Sequence, residues 1–309
     1  MGKIIKKFLK SILDRLPYVR SLKRTIDFYN DHLHVPPGHY YSPIILTEEL
    51  IKNREKIFNI IRPELSGIDL NLNEQKIVLE KFIKYYSELP FKPQKQKDLY
   101  YYYDNTWYEY SDAIFLYSMI RYCKPNKIIE IGSGFSSAVI LDTNRLFFND
   151  KIECTFIDPY PERLVSIIGS DLNCNIISQK IQDTSQKIFS ELEENDILLI
   201  DSSHVVKAGS DVNILLFEIL PKLNKGVKIH FHDIFYPFQY PEEWLINQKR
   251  SWNECYFLQA FLMHNNAYKI IAFNTYLELC YKGWFEKYMP LCLNNTGGSL
   301  WLEKVIDCG

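Results

Sequence analysis

The sequence lacks paired cysteines, long apolar runs and any excess of one charge, and each lack removes a class of protein. Its seven cysteines, Cys123, Cys154, Cys174, Cys255, Cys280, Cys292 and Cys308, form an odd set without a C-x-x-C pair. That pattern argues against structural zinc and for free thiols in a reducing compartment, so a cytoplasmic location is expected. No run of about eighteen apolar residues occurs, and nothing is expected to span a membrane. Lys and Arg, 36 together, nearly balance 38 Asp and Glu, and a net charge of −2 gives no reason to invoke nucleic acid. No internal repeat is present, and no low-complexity tract beyond a tyrosine cluster. No secretory leader is expected, because lysines interrupt the first apolar residues and no small-residue cleavage site follows. Gly2 does not mark myristoylation, since Lys6 stands where Ser or Thr is wanted.

What is present suits one large α/β domain with a helical elaboration: 309 residues, 47% hydrophobic and 15% aromatic. Residues 1–24 carry eight Lys and Arg against Asp14 alone, with Ile4, Ile5, Phe8, Leu9, Ile12, Leu13 and Leu16 at helical spacing. Such a basic amphipathic helix can lie on an anionic membrane surface, or dock on the protein's own core or on a second subunit of a homo-oligomer. Residues 36–43 read as a Pro, Gly and aromatic loop, and 47–62 and 73–87 as helices, with Asn71 or Asn73 as candidate caps. Pro90 and Pro93 end the second helix, and Tyr100 to Tyr110 form a tyrosine-rich approach to the domain that follows.

The most informative segment is Ile128-Ile129-Glu130-Ile131-Gly132-Ser133-Gly134-Phe135-Ser136-Ser137. Ile128, Ile129 and Ile131 suit a buried strand, and Glu130 at its carboxyl end could accept hydrogen bonds from a ligand hydroxyl or ammonium. Gly132 and Gly134 allow positive φ and close approach of backbone to a ligand. The segment resembles the first motif of S-adenosylmethionine (SAM) methyltransferases. A nicotinamide-dependent oxidoreductase competes, but the third small position of its fingerprint falls on Ser137, and an acid inside the strand end is not part of it. Some twenty residues on, Cys154-Thr155-Phe156-Ile157-Asp158 ends in a second acid, where such folds bind ribose hydroxyls.

Two later strands bring further chemistry. Asp196 to Ile200 is a continuous apolar run delivering Asp201 and His204 at its carboxyl end, the edge at which open α/β sheets bind ligands. Val227-Lys228-Ile229-His230-Phe231-His232-Asp233 places His230 and His232 on one face, with Asp233 at the end. Asp201, His232 and Asp233 could together hold a hard divalent cation such as Mg²⁺, although imidazole suits softer metals. The same residues would also serve as helix caps and sheet histidines. His204 could remove a proton from an acceptor hydroxyl, with Lys207 as a second base or a phosphate contact. Tyr236, Phe238, Trp244 and Trp252 are candidates to stack on a sugar ring, and Arg250 could bind a phosphate or carboxylate.

From Tyr100 to Trp301 the chain resembles the bacterial class I SAM-dependent methyltransferases found with polysaccharide and lipopolysaccharide biosynthesis genes. The marks are Ser111-Asp112-Ala113, Glu130 to Gly134, Ile157 to Pro161, Ile200 to His204, His230 to Phe235, Pro241 to Trp244 and Trp252-Asn253-Glu254, with Pro36 to Pro43 further forward. The Asp201-x-x-His204 spacing is also similar to that of metal-dependent macrolide-sugar O-methyltransferases. That resemblance implies Asp201 and Asp233 as Mg²⁺ ligands and His204 as the base, with His232 standing where those enzymes have an acid. It also implies adenine contacts after the third strand, at Gln182 and Asp183, and contacts to SAM from Glu130, Gly132, Ser133, Gly134, Asp158 and Asp201. The expected fold is therefore a Rossmann-like, seven-stranded, mostly parallel sheet over residues 100–309, closed by an antiparallel pair at Tyr268 to Phe273 and Gly298 to Glu303, after a helical extension over 1–99. The expected reaction is methylation of a sugar hydroxyl on a glycan acceptor. A nicotinamide oxidoreductase and a non-catalytic SAM-binding assembly protein are the alternatives.

Overall fold

The apolar runs become strands. In a computed structural model describing residues 13, 16–59, 64–169 and 173–307, these are Lys127–Ile131 (β1), Glu153–Ile157 (β2), Asn175–Ile177 (β3), Ile197–Ile200 (β4), Lys228–Phe231 (β5), Tyr268–Phe273 (β6) and Leu300–Lys304 (β7). They form one sheet in the order β3-β2-β1-β4-β5-β7-β6. β1 to β5 pair in parallel, and β7 runs antiparallel to both β5 and β6. This is the expected Rossmann-like methyltransferase sheet. The order reverses between β1 and β4, and the crevice outside their carboxyl ends is where such sheets take ligands.

Both faces of the sheet are covered, so alternate residues of each strand enter two separate cores. Ile128, Phe156, Ile197, Leu199 and Trp301 pack on one side, and Ile129, Ile131, Ile157, Leu198 and Ile200 on the other. That is why these strands read as unbroken apolar runs. On the first side lie Leu72–Tyr86 (α1), Tyr110–Cys123 (α2) and Phe135–Phe148 (α3); Phe82 meets Phe115 edge-on at 5.6 Å. α1 is tied to the sheet as well, since the Phe273 amide donates to Gln75 Oε1 at 2.7 Å. α1, although it precedes residue 100, thus shares the core of the sheet that follows.

The expected helix over 47–62 is present as Thr47–Lys52 and Arg54–Phe58, interrupted at Asn53; residues 60–63 lie outside the described set. Asn71 precedes α1 but does not cap it through its side chain; it sits at φ +49° and its amide donates to Asp69 Oδ1. Most of the basic segment 1–24 also lies outside the described residues. Where the description begins, the helix Pro17–His32 has no buried residue, and Leu22, Ile26, Phe28 and Tyr29 are exposed. No helix among the described residues is long and apolar enough to cross a membrane.

One buried acid makes the stability of this fold pH-dependent. Glu278, on the helix Asn274–Tyr288, accepts from Ser111 Oγ at 2.6 Å, and burial pushes its carboxyl up from 4.5 to about 8. Between those two values the unfolded chain ionises while the folded chain holds its proton, so stability falls as pH rises, by up to about 1.4 kcal/mol per pH unit. Glu278→Gln is expected to melt well above the wild type at pH 8 and close to it at pH 5. Parallel melting curves across that range would refute the assignment.

Candidate active site

A crevice of about 1040 Å³ opens at the carboxyl ends of β1, β2, β4 and β5. Its floor is the turn between β1 and α3. Gly132 takes φ +84°, and a Cβ there would lie 2.3 Å from the Asp201 carbonyl oxygen, so only glycine fits. The turn is pinned between strands, with the Gly132 amide donating to Ile157 O and the Asp201 amide to Ile131 O. Gly132, Ser133 and Gly134 all line the crevice.

Glu130 does not. It is fully buried, and its carboxylate oxygens accept from the hydroxyls of Ser136 and Ser137. Burial pushes the carboxyl up to about 8, against those two hydrogen bonds. Ser137 Oγ in turn accepts from the Gly134 amide at 3.0 Å. Glu130 therefore shapes the turn from beneath instead of touching a ligand, because its side chain enters the sheet's interior.

Asp158 stands at the end of β2, half-exposed in the crevice, accepting from Ser133 Oγ at 2.7 Å and from the Tyr160 amide at 2.8 Å. Gln182 lines the crevice after β3, its amide donating to Gly209 O at 2.9 Å. Asp183 is exposed and outside the lining, since the single 3-10 turn Ile181–Asp183 buries Ile181 and rotates Asp183 away.

Beyond β4 and β5, titratable groups converge. His204 and Asp233 both adopt φ +59°, a strained conformation for residues with a Cβ. His204 Nε2 lies 3.4 Å from Asp201 Oδ1 and 3.6 Å from Asp233 Oδ2, and its Nδ1 lies 2.8 Å from Glu254 Oε2. Burial pushes the imidazole down, but hydrogen bonds to Asp201 and Glu254 and their charges outweigh it and hold His204 well above its ordinary value. Burial likewise pushes Asp201 up, and the His204 hydrogen bond with the charges of the neighbouring histidines outweighs it, holding the carboxyl at about 2. Asp233 is raised by burial.

The expected cation ligands were Asp201, His232 and Asp233. Among the described residues, the donor atoms that approach one another, within 4.8 Å, belong to Asp201, His204 and Asp233. His232 lines the crevice, but its Nε2 turns to Asp233 Oδ1 at 3.4 Å and its ring packs on Tyr108. Two carboxylates and an imidazole oriented through its other nitrogen by a buried acid are a donor set that fits a divalent cation. The alternation on β5 places His230 beside His232, rings 6.0 Å apart, but His230 is wholly buried and bonded to Ser299.

Glu254 is a candidate site residue to which the sequence reading gave no role, naming it only within the Trp252-Asn253-Glu254 mark. It begins the helix Glu254–Leu262, is 1% exposed, and also accepts from Ser202 Oγ at 2.9 Å. The His204 carbonyl receives the amides of Asn253 and Glu254, so main chain and side chain lock the imidazole from both ends. Trp252 packs on the His204 ring at 4.2 Å, and Trp244 joins it in the crevice. Tyr236 and Phe238 do not line it; Phe238 is buried against Phe273, and Tyr236 packs on Tyr276. From the tyrosine-rich segment, Tyr101 and Tyr103 are core residues. Tyr108 lines the crevice with a hydroxyl that has no protein partner among the described residues. A second chamber of about 430 Å³ shares His232, Asp233 and Trp244 with the first, and its 295–298 wall is held by Asp112, which accepts from the Gly298 amide at 2.9 Å.

Residues 129–234 match a family model described as a methyltransferase domain. An uncharacterized protein of Archaeoglobus fulgidus is 42% identical over 166 residues, covering 52% of this chain and 75% of that protein. The chain belongs to one family with this archaeal protein, and its core is a methyltransferase domain. Two solved structures are also similar to it. The plantazolicin methyltransferase BpumL, in complex with a triazolic desmethylPZN analog and SAH, is 17% identical with a TM-score of 0.43, covering 76% of this chain and 99% of its own. CmcI-D160 with Mg-SAM is 16% identical with a TM-score of 0.37, covering 64% and 73%. The methyltransferase domain as matched runs from within β1 to just past Asp233, and Arg250, Trp252 and Glu254 lie beyond it.

Proposed function

We propose that the protein is a SAM-dependent O-methyltransferase whose acceptor is a sugar hydroxyl, as in the modification of a surface glycan. The observation that carries this reading is the Glu254–His204 pair, aimed through Nε2 into the crevice that also holds Gly132 and Asp158. A sulfonium cofactor, when bound, supplies an electrophilic methyl group. Gly132 admits its amino-acid half to the backbone, and Asp158 accepts from its ribose hydroxyls. Trp244 and Trp252 offer apolar faces for a sugar ring. As the oxygen–methyl bond forms and the sulfur–methyl bond breaks, His204 receives the hydroxyl proton at Nε2, while Glu254 holds Nδ1 and balances the imidazolium. Positioning of acceptor and methyl group supplies much of the remaining acceleration. Asp201 and Asp233 would hold a divalent cation, which would lower the pKa of the acceptor hydroxyl and, by neutralising the two carboxylates, release the proton they keep near Nε2, leaving that nitrogen free as the base.

A nicotinamide reading is less favoured, since Ser137, at the third small position, is committed to Glu130 and Gly134. Calorimetry of the full chain decides between them. S-adenosylhomocysteine is expected to bind and NAD not to, and Asp158→Ala is expected to weaken that binding about tenfold or more, as for a lost charge-assisted hydrogen bond. Mg²⁺ is expected to raise the melting temperature of the wild type and not of Asp201→Asn. Preference for NAD would overturn the reading, and an equal Mg²⁺ shift in both proteins would remove the cation from it.

A further inference from the structure

Arg250 sits in the corner between two indole rings set at 84°, its guanidinium carbon 4.1 Å from the Trp244 ring centre and 4.4 Å from that of Trp252. Its amide donates to Trp244 O at 3.0 Å, so the turn after the short helix Glu242–Ile246 is fixed around it. It lines the crevice, and among the described residues no carboxylate pairs with it. Arg54, Arg121 and Arg145, by contrast, each meet an acid; Arg163, the crevice's other arginine, is stacked on an indole in the same way. A guanidinium held rigid on aromatic faces keeps its planar fork of donors with little entropy left to lose, the preparation that suits bidentate capture of a phosphate or carboxylate.

The position says to which molecule the anion belongs. Arg250 touches Trp252, and Trp252 also packs on His204, so the guanidinium and the imidazole that faces the reacting hydroxyl share one indole as a neighbour. Trp244, its other support, is shared with the second chamber. The crevice's other stacked arginine, Arg163 on Trp107 at 3.7 Å, stands instead beside Gly134, at the cofactor end. We infer that Arg250 is an acceptor-specificity residue: the substrate is an anionic sugar, carrying a phosphate or a carboxylate near the hydroxyl that is methylated. This rests on the proposed function for the identity of the second ligand, while the anion site stands on the arginine's own surroundings.

The test uses the full-length protein, saturated with S-adenosylhomocysteine, and follows tryptophan fluorescence at fixed ionic strength. Inorganic phosphate, acetate and methyl glucoside are titrated against the wild type, Arg250→Met and Arg250→Lys. A saturable response to phosphate or to acetate is expected in the wild type, the stronger of the two identifying the anion, with none to the neutral sugar at the same concentrations. Arg250→Met is expected to weaken the anion about tenfold or more, with Arg250→Lys in between, as for loss of a charged bidentate contact. Equal anion binding by wild type and Arg250→Met, or no saturable response in the wild type, would overturn the inference. So would a matching loss of S-adenosylhomocysteine affinity in Arg250→Met, which would give the arginine to the cofactor. Failure of the wild type to bind S-adenosylhomocysteine, with the anion response intact in its absence, would sink the methyltransferase reading and leave the anion site standing.

Discussion

Replacing His204 with alanine is expected to lower methyl transfer by a factor of about 10²–10⁴, the usual worth of a positioned general base, while binding of S-adenosylhomocysteine stays near that of the wild type. The imidazole is reached by Asp201, Asp233 and Glu254 together, so its removal takes away the nitrogen on which all three carboxyl groups converge. Glu254→Gln separates orientation from proton transfer. The amide fills the same space but cannot balance a charged imidazolium, and its NH₂ can face Nδ1 and favour the wrong tautomer. The expected result is a fall in kcat of about a hundredfold or more with little change in KM for the cofactor, since Glu254 is buried behind His204 and away from the glycine turn. Added imidazole restoring part of the rate of His204→Ala would strengthen the assignment. Retention of the wild-type rate in His204→Ala would remove His204 as the base.

The second large effect belongs to Gly132→Ala. The substitution meets two penalties, and neither can be relaxed locally. A positive φ costs a residue with a Cβ about 1–3 kcal/mol, and the added carbon would stand 2.3 Å from a carbonyl oxygen on the neighbouring strand. That oxygen belongs to Asp201, whose own amide is bonded back to Ile131, so relief requires parting β1 from β4 at the floor of the crevice. Cofactor affinity is expected to fall about a hundredfold or more, together with a loss of stability of several kcal/mol. Calorimetry with S-adenosylhomocysteine and chemical denaturation read the two losses separately. An alanine variant within about threefold of wild-type affinity would show that the turn does not approach the ligand.

Much of this site was legible before any coordinates, for a definite reason. In a sheet covered on both faces, each strand is written as an apolar run, and its last residue is placed at the ligand edge by the topology alone. Asp158, Asp201, His204 and Asp233 were found that way, and the closing antiparallel pair from two further runs. What escaped depends on where side chains point after the strand has ended. Glu130 sits inside its strand, so it faces the interior and serves the turn. Asp183 follows a single 3-10 turn that rotates it outward. His232 obeys the alternation yet bends to Asp233, and the left-handed φ of His204 carries the imidazole into the place expected for His232. Glu254 lies 50 residues from its partner, on a helix whose local pattern says only that it is amphipathic enough to pack, and no periodicity reports a contact made across a loop. Phe238 and Trp252 belong to the same aromatic stretch, and only the path of the chain sends one into the core and the other over His204.

The placement of β7 carries one more consequence. Because β7 is laid between β5 and β6, which both precede it in the chain, neither can close on the other until β7 has been synthesised. During synthesis, the strand that delivers His232 and Asp233 is left with one unpaired flank, a hydrogen-bonding rim open to any passing extended peptide. Assembly of the His232 and Asp233 end of the crevice is thereby tied to the synthesis of β7, while the glycine turn and Asp158, built from earlier strands, can be in place well before it.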